Sequence, residues 1–373
     1  MSKTFMISSF SGVISGVISG VLPGVLSAVF LLLPFCLPAA EAEDFFPLGL
    51  YAVPREHIKT AAGLDFNTVV TGYDREYFDG AAEAGLKVIS PLYLINHDTS
   101  IKKIRELDGH PALYAWYYID EPDIQKISPE QVKEWYAELK AIAPKTPSFI
   151  TLWNPDKFPS YGSNCEFFGT IAYPVREKSK DSNHLEMVYS VNYRAKAALP
   201  GKKVFAIIQT FAGLPNWQRP PDMEELRCMA WQALIIEVDG ILFYSFESGE
   251  EYRVPGGRGT WYLTEDTATA GNLKALNAEI KANIPAIKKG REQNGLITNL
   301  KYQQVPMLYK YYDGASRLYI VNPFNEDKYI ECRLKGLEGQ KIILGLSGLK
   351  YKKEGDYLVF TLPARKTAAF VIK

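Results

Sequence analysis

Histidine and cysteine are scarce in this 373-residue chain, with four of each: His57, His97, His110, His184 and Cys36, Cys165, Cys228, Cys332. No HExxH pattern, CxxC pair or i,i+4 histidine pair occurs, so no catalytic metal and no disulfide framework is expected. The cysteines beyond Cys36 read as buried thiols. Net charge is also absent, because 42 Lys+Arg balance 42 Asp+Glu. Affinity for a polyanion needs clustered cations to neutralise phosphates, so nucleic acid is not an expected partner. No glycine-rich phosphate-binding loop follows any apolar run, and no nucleotide or other cofactor is expected.

The chain is rich in apolar and aromatic residues, 47% and 13% of the total, with 23 Tyr and 6 Trp. That composition belongs to a folded chain with a large core, and it raises the question of whether some rings face a ligand. No charged residue occurs between Lys3 and Glu41, where Ser-Gly-Val-Ile tetrads run into Leu31-Leu-Leu. Ala40-Glu41-Ala42 has the small-x-small pattern of a signal-peptidase site. Residues 1–42 therefore read as an export signal, and the mature protein is expected to be secreted or periplasmic. The competing reading is an uncleaved anchor, since the apolar run is long enough to span a bilayer; otherwise no membrane association is expected.

From Phe46 to about Gly290 short apolar runs alternate with amphipathic segments. The runs begin at Leu48, Asn67, Lys87, Leu113, Ser148, Phe167, Lys203 and Gly240, with helical periodicity after most of them. Eight βα units over this length predict a closed (β/α)8 TIM barrel in 43–290. Beyond Gly290 the period changes to two, as in Met307-Leu-Tyr-Lys-Tyr-Tyr312, then Asp313-Gly314, then Arg317-Leu-Tyr-Ile-Val321. Asp-Gly between alternating runs is a hairpin signal, and 291–373 is expected to form a small all-β sandwich domain.

Barrel active sites are assembled where the strands end. That rule selects Tyr51, Tyr73, Tyr93, Asn96, Asp120, Glu121, Trp153, Asn154, Tyr173, Gln209, Tyr244 and Glu247. These aromatics, amides and carboxylates suit a carbohydrate, whose C–H faces pack on rings and whose hydroxyls bind amides and carboxylates. Trp217, in the Pro-rich loop Asn216-Trp-Gln-Arg-Pro-Pro221, either stacks on a sugar or packs on a helix. Trp261 follows a Gly-rich loop that could close over the site, whereas Trp116, Trp135 and Trp231 fit core positions. The sharpest feature is Trp116-Tyr-Tyr-Ile-Asp-Glu-Pro122. A carboxyl at a strand end among rings is partly desolvated and can stay protonated to donate to a leaving oxygen. Alternatively Asp120 or Glu121 caps the next helix or pairs with Arg55 or Arg75.

The segment His110-Pro-Ala-Leu-Tyr-Ala-Trp-Tyr-Tyr-Ile-Asp-Glu-Pro122 resembles the fourth strand of barrel glycoside hydrolases of the large clan with Asn-Glu-Pro there. Leu64-Asp-Phe-Asn-Thr-Val69, Ala172-Tyr-Pro174 and Gly240-Ile-Leu-Phe-Tyr244 are similar to other strands of that superfamily, and the β region resembles its accessory C-terminal domains. The resemblance implies a hydrolase of O-glycosidic bonds in oligo- or polysaccharides, with Glu121 as general acid/base and retention of configuration. It places Asp120 where the clan's Asn contacts the sugar 2-hydroxyl. The clan's nucleophile is a Glu ending strand seven, and here Gln209-Thr-Phe-Ala212 stands there. Glu247, with Glu250 and Glu251 after it, is the carboxylate nearest in register. Glu247 therefore serves as nucleophile or base, or else it binds hydroxyls or pairs with Arg253 or Arg258. Adjacent Asp-Glu is also similar to substrate-assisted hexosaminidases, in which Asp120 would orient a 2-acetamido group, Glu121 would be the acid, and Tyr244 or Trp153 would enclose the acetamide. A third reading is a secreted carbohydrate-binding barrel without catalysis.

Overall fold

The computed structural model describes residues 45–373 apart from 73, 93–96, 177–178, 249–260, 294–295, 299–304 and 347. The expected export signal, and the candidates Tyr73, Tyr93, Asn96, Glu250 and Glu251, lie outside the described residues. Among the described residues no helix is long and apolar enough to cross a membrane.

Eight parallel strands close in chain order: β1 (Leu48–Tyr51), β2 (Thr68–Val70), β3 (Lys87–Pro91), β4 (Leu113–Asp120), β5 (Ser148–Leu152), β6 (Phe167–Ala172), β7 (Lys203–Gln209) and β8 (Gly240–Tyr244). Strand β8 pairs back onto β1. The helices are α1 (Ile58–Gly63), α2 (Arg75–Glu83), α3 (His97–Leu107), α4 (Pro129–Ile142), α5 (Phe158–Tyr161), α6 (Met187–Ala198), α7 (Met223–Ile235) and α8 (Thr267–Lys289). The (β/α)8 barrel expected from periodicity is thus formed. Alternation divides each strand between two cores. On β7, Val204, Ala206 and Ile208 belong to the core under the helices, while Phe205 and Ile207 fill the barrel interior. Gly169 on β6 makes room inside, since a Cβ there would stand 2.7 Å from Phe149 and 2.9 Å from Thr151.

Local signals set the helix starts. Asp222 caps α7 through the amides of Glu224 and Glu225, and the Glu225 side chain returns to the Asp222 amide, a complete capping box. The similar spacing at Ser128 is only half used: Ser128 caps Gln131, whose own side chain bonds Glu134 instead.

After β8 come the short paired strands β9 (Glu247–Ser248) and β10 (Trp261–Tyr262), and the chain turns all-β past α8. The later strands are β11 (Arg291–Glu292), β12 (Leu296–Thr298), β13 (Met307–Tyr312), β14 (Ala315–Val321), β15 (Lys328–Leu334), β16 (Ile342–Leu346), β17 (Tyr351–Glu354), β18 (Tyr357–Leu362) and β19 (Thr367–Ile372). They form antiparallel sheets in the orders β11-β13-β14-β19-β16 and β12-β15-β18-β17, around a core that includes Leu318, Ile330, Leu358 and Phe370. The β13–β14 turn has positive φ at Asp313 and Gly314, 49° and 72°, as the Asp-Gly step predicts. This domain packs on the barrel through stacked Trp231 and Tyr319, centroids 5.0 Å apart, and through the buried Lys310, paired with the part-exposed Glu237 at 2.8 Å. Cys165, Cys228 and Cys332 are buried free thiols, as expected.

Candidate active site

At the C-terminal ends of the barrel strands lies a cavity of about 950 Å³. Each strand contributes a wall residue at its end or within two positions of it, from Tyr51 of β1 round to Tyr244 of β8. Most of the wall is aromatic or aliphatic. Tyr173 stacks on Tyr244 (5.7 Å, 24°), Tyr51 meets Tyr244 edge-on (5.4 Å, 62°), and Phe211 packs against Tyr173, Tyr244 and Trp217. Trp153, half exposed, stands at the rim after β5.

Asp120 and Glu121 reach this wall because β4 is irregular. Tyr117 faces the barrel interior, so simple alternation would send Ile119 inward and Asp120 toward the helices. Instead the pairing with β5 shifts register between Tyr117 and Ile119, and both Tyr118 and Ile119 lie in the outer core. A bulge of this kind reverses the phase of everything after it. Asp120 therefore stands opposite Thr151, whose hydroxyl donates to Asp120 Oδ1 at 2.6 Å. The Tyr117 hydroxyl donates to the same oxygen and lies 2.8 Å from Thr151 Oγ1. One carboxylate oxygen is thus pinned by two groups, and Oδ2 makes no hydrogen bond among the described residues.

Glu121, half-buried, follows in the left-handed region at φ 40°. Its amide donates to the Thr151 carbonyl (3.1 Å), and its carbonyl accepts from the amides of Ile124 (3.0 Å) and Gln125 (3.1 Å). The strand is therefore turned sharply at the residue whose carboxyl faces the cavity. Burial pushes the Tyr117 and Tyr51 phenols well above their ordinary range, and the Asp120 charge pushes them further. Burial, then the neighbouring Tyr244 phenol, does the same for Tyr173. All three phenols therefore stay protonated, and Tyr117 is the one that donates to a carboxylate.

No family model and no curated protein matches the chain. Solved structures do. An α-amylase from Geobacillus thermoleovorans in complex with acarbose aligns with TM-score 0.57 at 11% identity, covering 88% of this chain and 98% of its own. A glycoside hydrolase aligns with TM-score 0.61 at 11% identity over 88% and 92%. An Anoxybacillus α-amylase gives 0.51 at 12% over 87% and 97%. The fold is that of (β/α)8 glycoside hydrolases.

Within this fold, six of the residues selected by strand position share the cavity wall, Tyr51, Asp120, Glu121, Trp153, Tyr173 and Tyr244, and Trp217 of the Pro-rich loop joins them. Three others do not stand there. Gln209 is fully buried, with its amide oxygen accepting from the Val175 N–H (3.0 Å) and its amide nitrogen donating to the Val175 carbonyl (2.8 Å). Asn154 caps the short turn after β5 by accepting from the Asp156 amide at 3.0 Å. Glu247 is carried past the described wall by β9, opposite Tyr262 of β10. Trp261 stands on β10 and packs on the core, with its indole N–H 3.4 Å from Asp266, and the Gly-rich loop before it lies outside the described residues. Arg55 is committed to Asp74 and Glu76, and Arg75 to Glu106, so neither neutralises the β4 carboxylates. Sequence position alone missed Tyr117, Thr151, Phe211 and Arg176. Tyr117 and Thr151 lie inside strands rather than at their ends, and Arg176 comes three residues beyond Tyr173. Among the described residues no group of three or more acidic, His or Cys side chains could hold a metal ion.

Proposed function

We propose that the protein is an exported hydrolase of O-glycosidic bonds in an oligo- or polysaccharide, with Glu121 as the proton donor. The observation that carries this reading is the pair of adjacent carboxyls on one wall of an aromatic cavity at the strand ends of the barrel. The Glu121 carboxyl gives its proton to the glycosidic oxygen as the bond from that oxygen to the anomeric carbon breaks, and the leaving sugar departs as an alcohol. Ring faces of Tyr173, Tyr244, Trp153 and Trp217 suit the C–H faces of the flanking sugars.

The position of the second carboxyl favours substrate assistance. Among the described wall residues only Asp120 joins Glu121, and it is pinned by Tyr117 and Thr151 with one oxygen left over. In this reading Asp120 accepts the N–H of a 2-acetamido group while the acetamide oxygen bonds to the anomeric carbon. Water then opens the cyclic intermediate, giving a proton back to Glu121, and configuration is retained. The alternative is nucleophilic or base catalysis by Glu247, and a barrel that only binds carbohydrate is the third reading. The test is Glu121→Gln. Loss of hydrolysis with oligosaccharide binding retained supports the proposal, whereas hydrolysis that survives the change removes Glu121 from the mechanism.

A further inference from the structure

Arg176 is the cation on the described cavity wall, and its surroundings differ from those of the other cations nearby. Lys180 is paired with Asp222, Arg194 with Asp156, and Arg219 with Glu225. Arg176 engages no carboxylate among the described residues. Its guanidinium lies over the Trp217 ring, 5.7 Å from the centroid. The platform beneath it is fixed, because the Trp217 indole N–H donates to the Tyr173 carbonyl at 3.2 Å. The Arg176 backbone is held on both sides, its amide by Asn183 (3.1 Å) and its carbonyl by the Gln218 amide (3.2 Å). A guanidinium seated on a fixed ring, with no carboxylate partner among the described residues and opening onto a cavity, is a receptor for an anion.

Resting on the glycosidase reading above, we propose that the glycan this barrel cuts carries an anionic group, a uronate carboxylate or a sulfate ester, and that Arg176 binds it. Charge also fixes the direction of the substrate. The Asp120 carboxylate makes the β4 side repel an anion, so the charged sugar seats on the β6–β7 side against Arg176, while the bond to be cut lies at Glu121. A neutral sugar would offer the guanidinium only hydroxyl oxygens. A charge-assisted bidentate contact improves on that by about tenfold to a hundredfold.

The experiment compares kcat/KM of the whole protein on paired oligosaccharides: uronate-containing ones with their carboxyl-reduced counterparts, and sulfated ones with their desulfated counterparts. The expected result is a preference for the charged member of at least about tenfold, shrinking at high salt. In Arg176→Gln that preference falls toward one, and in Arg176→Lys it is partly kept; melting curves verify folding of both exposed-site variants. The pair showing the preference identifies the anion as carboxylate or sulfate. Equal or better turnover of the neutral member, or a preference unchanged in Arg176→Gln, overturns the assignment while the glycosidase reading stands. Failure of every glycan to bind or be cut overturns both.

Discussion

Replacing Glu225 by Ala tests whether the β domain and the cavity loop are held by one buried charge. Glu225 has no exposed side-chain surface. Its Oε2 accepts from Arg219 Nη1 (2.6 Å) and its own capping contact at the Asp222 amide (3.1 Å); its Oε1 accepts from Arg219 Nη2 (2.8 Å) and Arg365 Nη1 (3.5 Å). Arg365 comes from the loop before β19, and Arg219 lies two residues after Trp217, so this carboxylate joins the sandwich to the cavity. In Glu225→Ala the two guanidinium groups lose the carboxylate between them, and one of them has a side chain only 7% exposed. Removing one member of a buried ion pair costs about 3–5 kcal/mol, and loss of the return bond to the Asp222 amide adds about 1 kcal/mol. Arg365→Ala should cost much less, about 1–2 kcal/mol, because Glu225 keeps its bidentate partner. Near about 2 °C per kcal/mol for a chain this long, Glu225→Ala should melt roughly 8–12 °C lower. Urea unfolding, followed by tryptophan fluorescence and far-UV circular dichroism, gives the free energies without adding salt. The reasoning fails if Arg365→Ala is the costlier change, or if Glu225→Ala costs under about 1 kcal/mol.

Two further outcomes follow from the site. Tyr117→Phe keeps the ring but removes the hydroxyl that holds Asp120, and it should lower kcat about tenfold or more with little change in KM; steady-state kinetics with an unaltered kcat would show that Asp120 needs no such anchor. Lys103 donates to the carbonyls of Gly72 (2.7 Å) and Pro91 (2.8 Å) behind the cavity, and burial, opposed by the Asp74 charge, lowers its pKa from 10.5 to about 8. The unfolded chain therefore holds this proton up to about 10.5 and the folded chain only up to about 8. In that window the unfolded state binds more protons, so the Lys103 contribution to stability rises with pH. The stability difference between wild type and Lys103→Met, measured by urea titration from pH 8 to 10.5, should grow in favour of wild type; a flat difference would refute the assignment.

The barrel was legible because periodicity is a property of the whole sheet: apolar runs at Leu48, Lys87, Leu113 and Lys203 are each buried on both faces. Strand β17 was not legible, since Tyr351-Lys-Lys-Glu354 is an edge strand whose mostly exposed side chains carry no alternation. Within the site, strand ends were read correctly where the chain leaves the barrel at the last paired residue, as at Tyr244. Asp120 was selected by the same rule, whereas the place of Gln209, set by its hydrogen bonds to the Val175 backbone, was not legible. The inward turn of Asp120 depends on the irregular pairing of β4 with β5, and no pattern in Trp116-Tyr-Tyr-Ile-Asp120 announces it.

Gln209 shows why the site cannot be read as one missing catalytic group. Its amide both accepts from and donates to the backbone of Val175, and that residue lies between Tyr173, which stacks on Tyr244, and Arg176, which lies over Trp217. A carboxylate at the same place could accept from the Val175 N–H, but it would set a second oxygen against the Val175 carbonyl and cost that buried bond. The amide is therefore the side chain that fits the end of β7, where it shapes the β6 loop from behind. If the barrel hydrolyses glycosides as proposed, its second reacting group must come from elsewhere. The pinned carboxylate of Asp120 is already on the wall, one residue from Glu121, and the acetamide of a substrate would complete the set without any further residue of the protein.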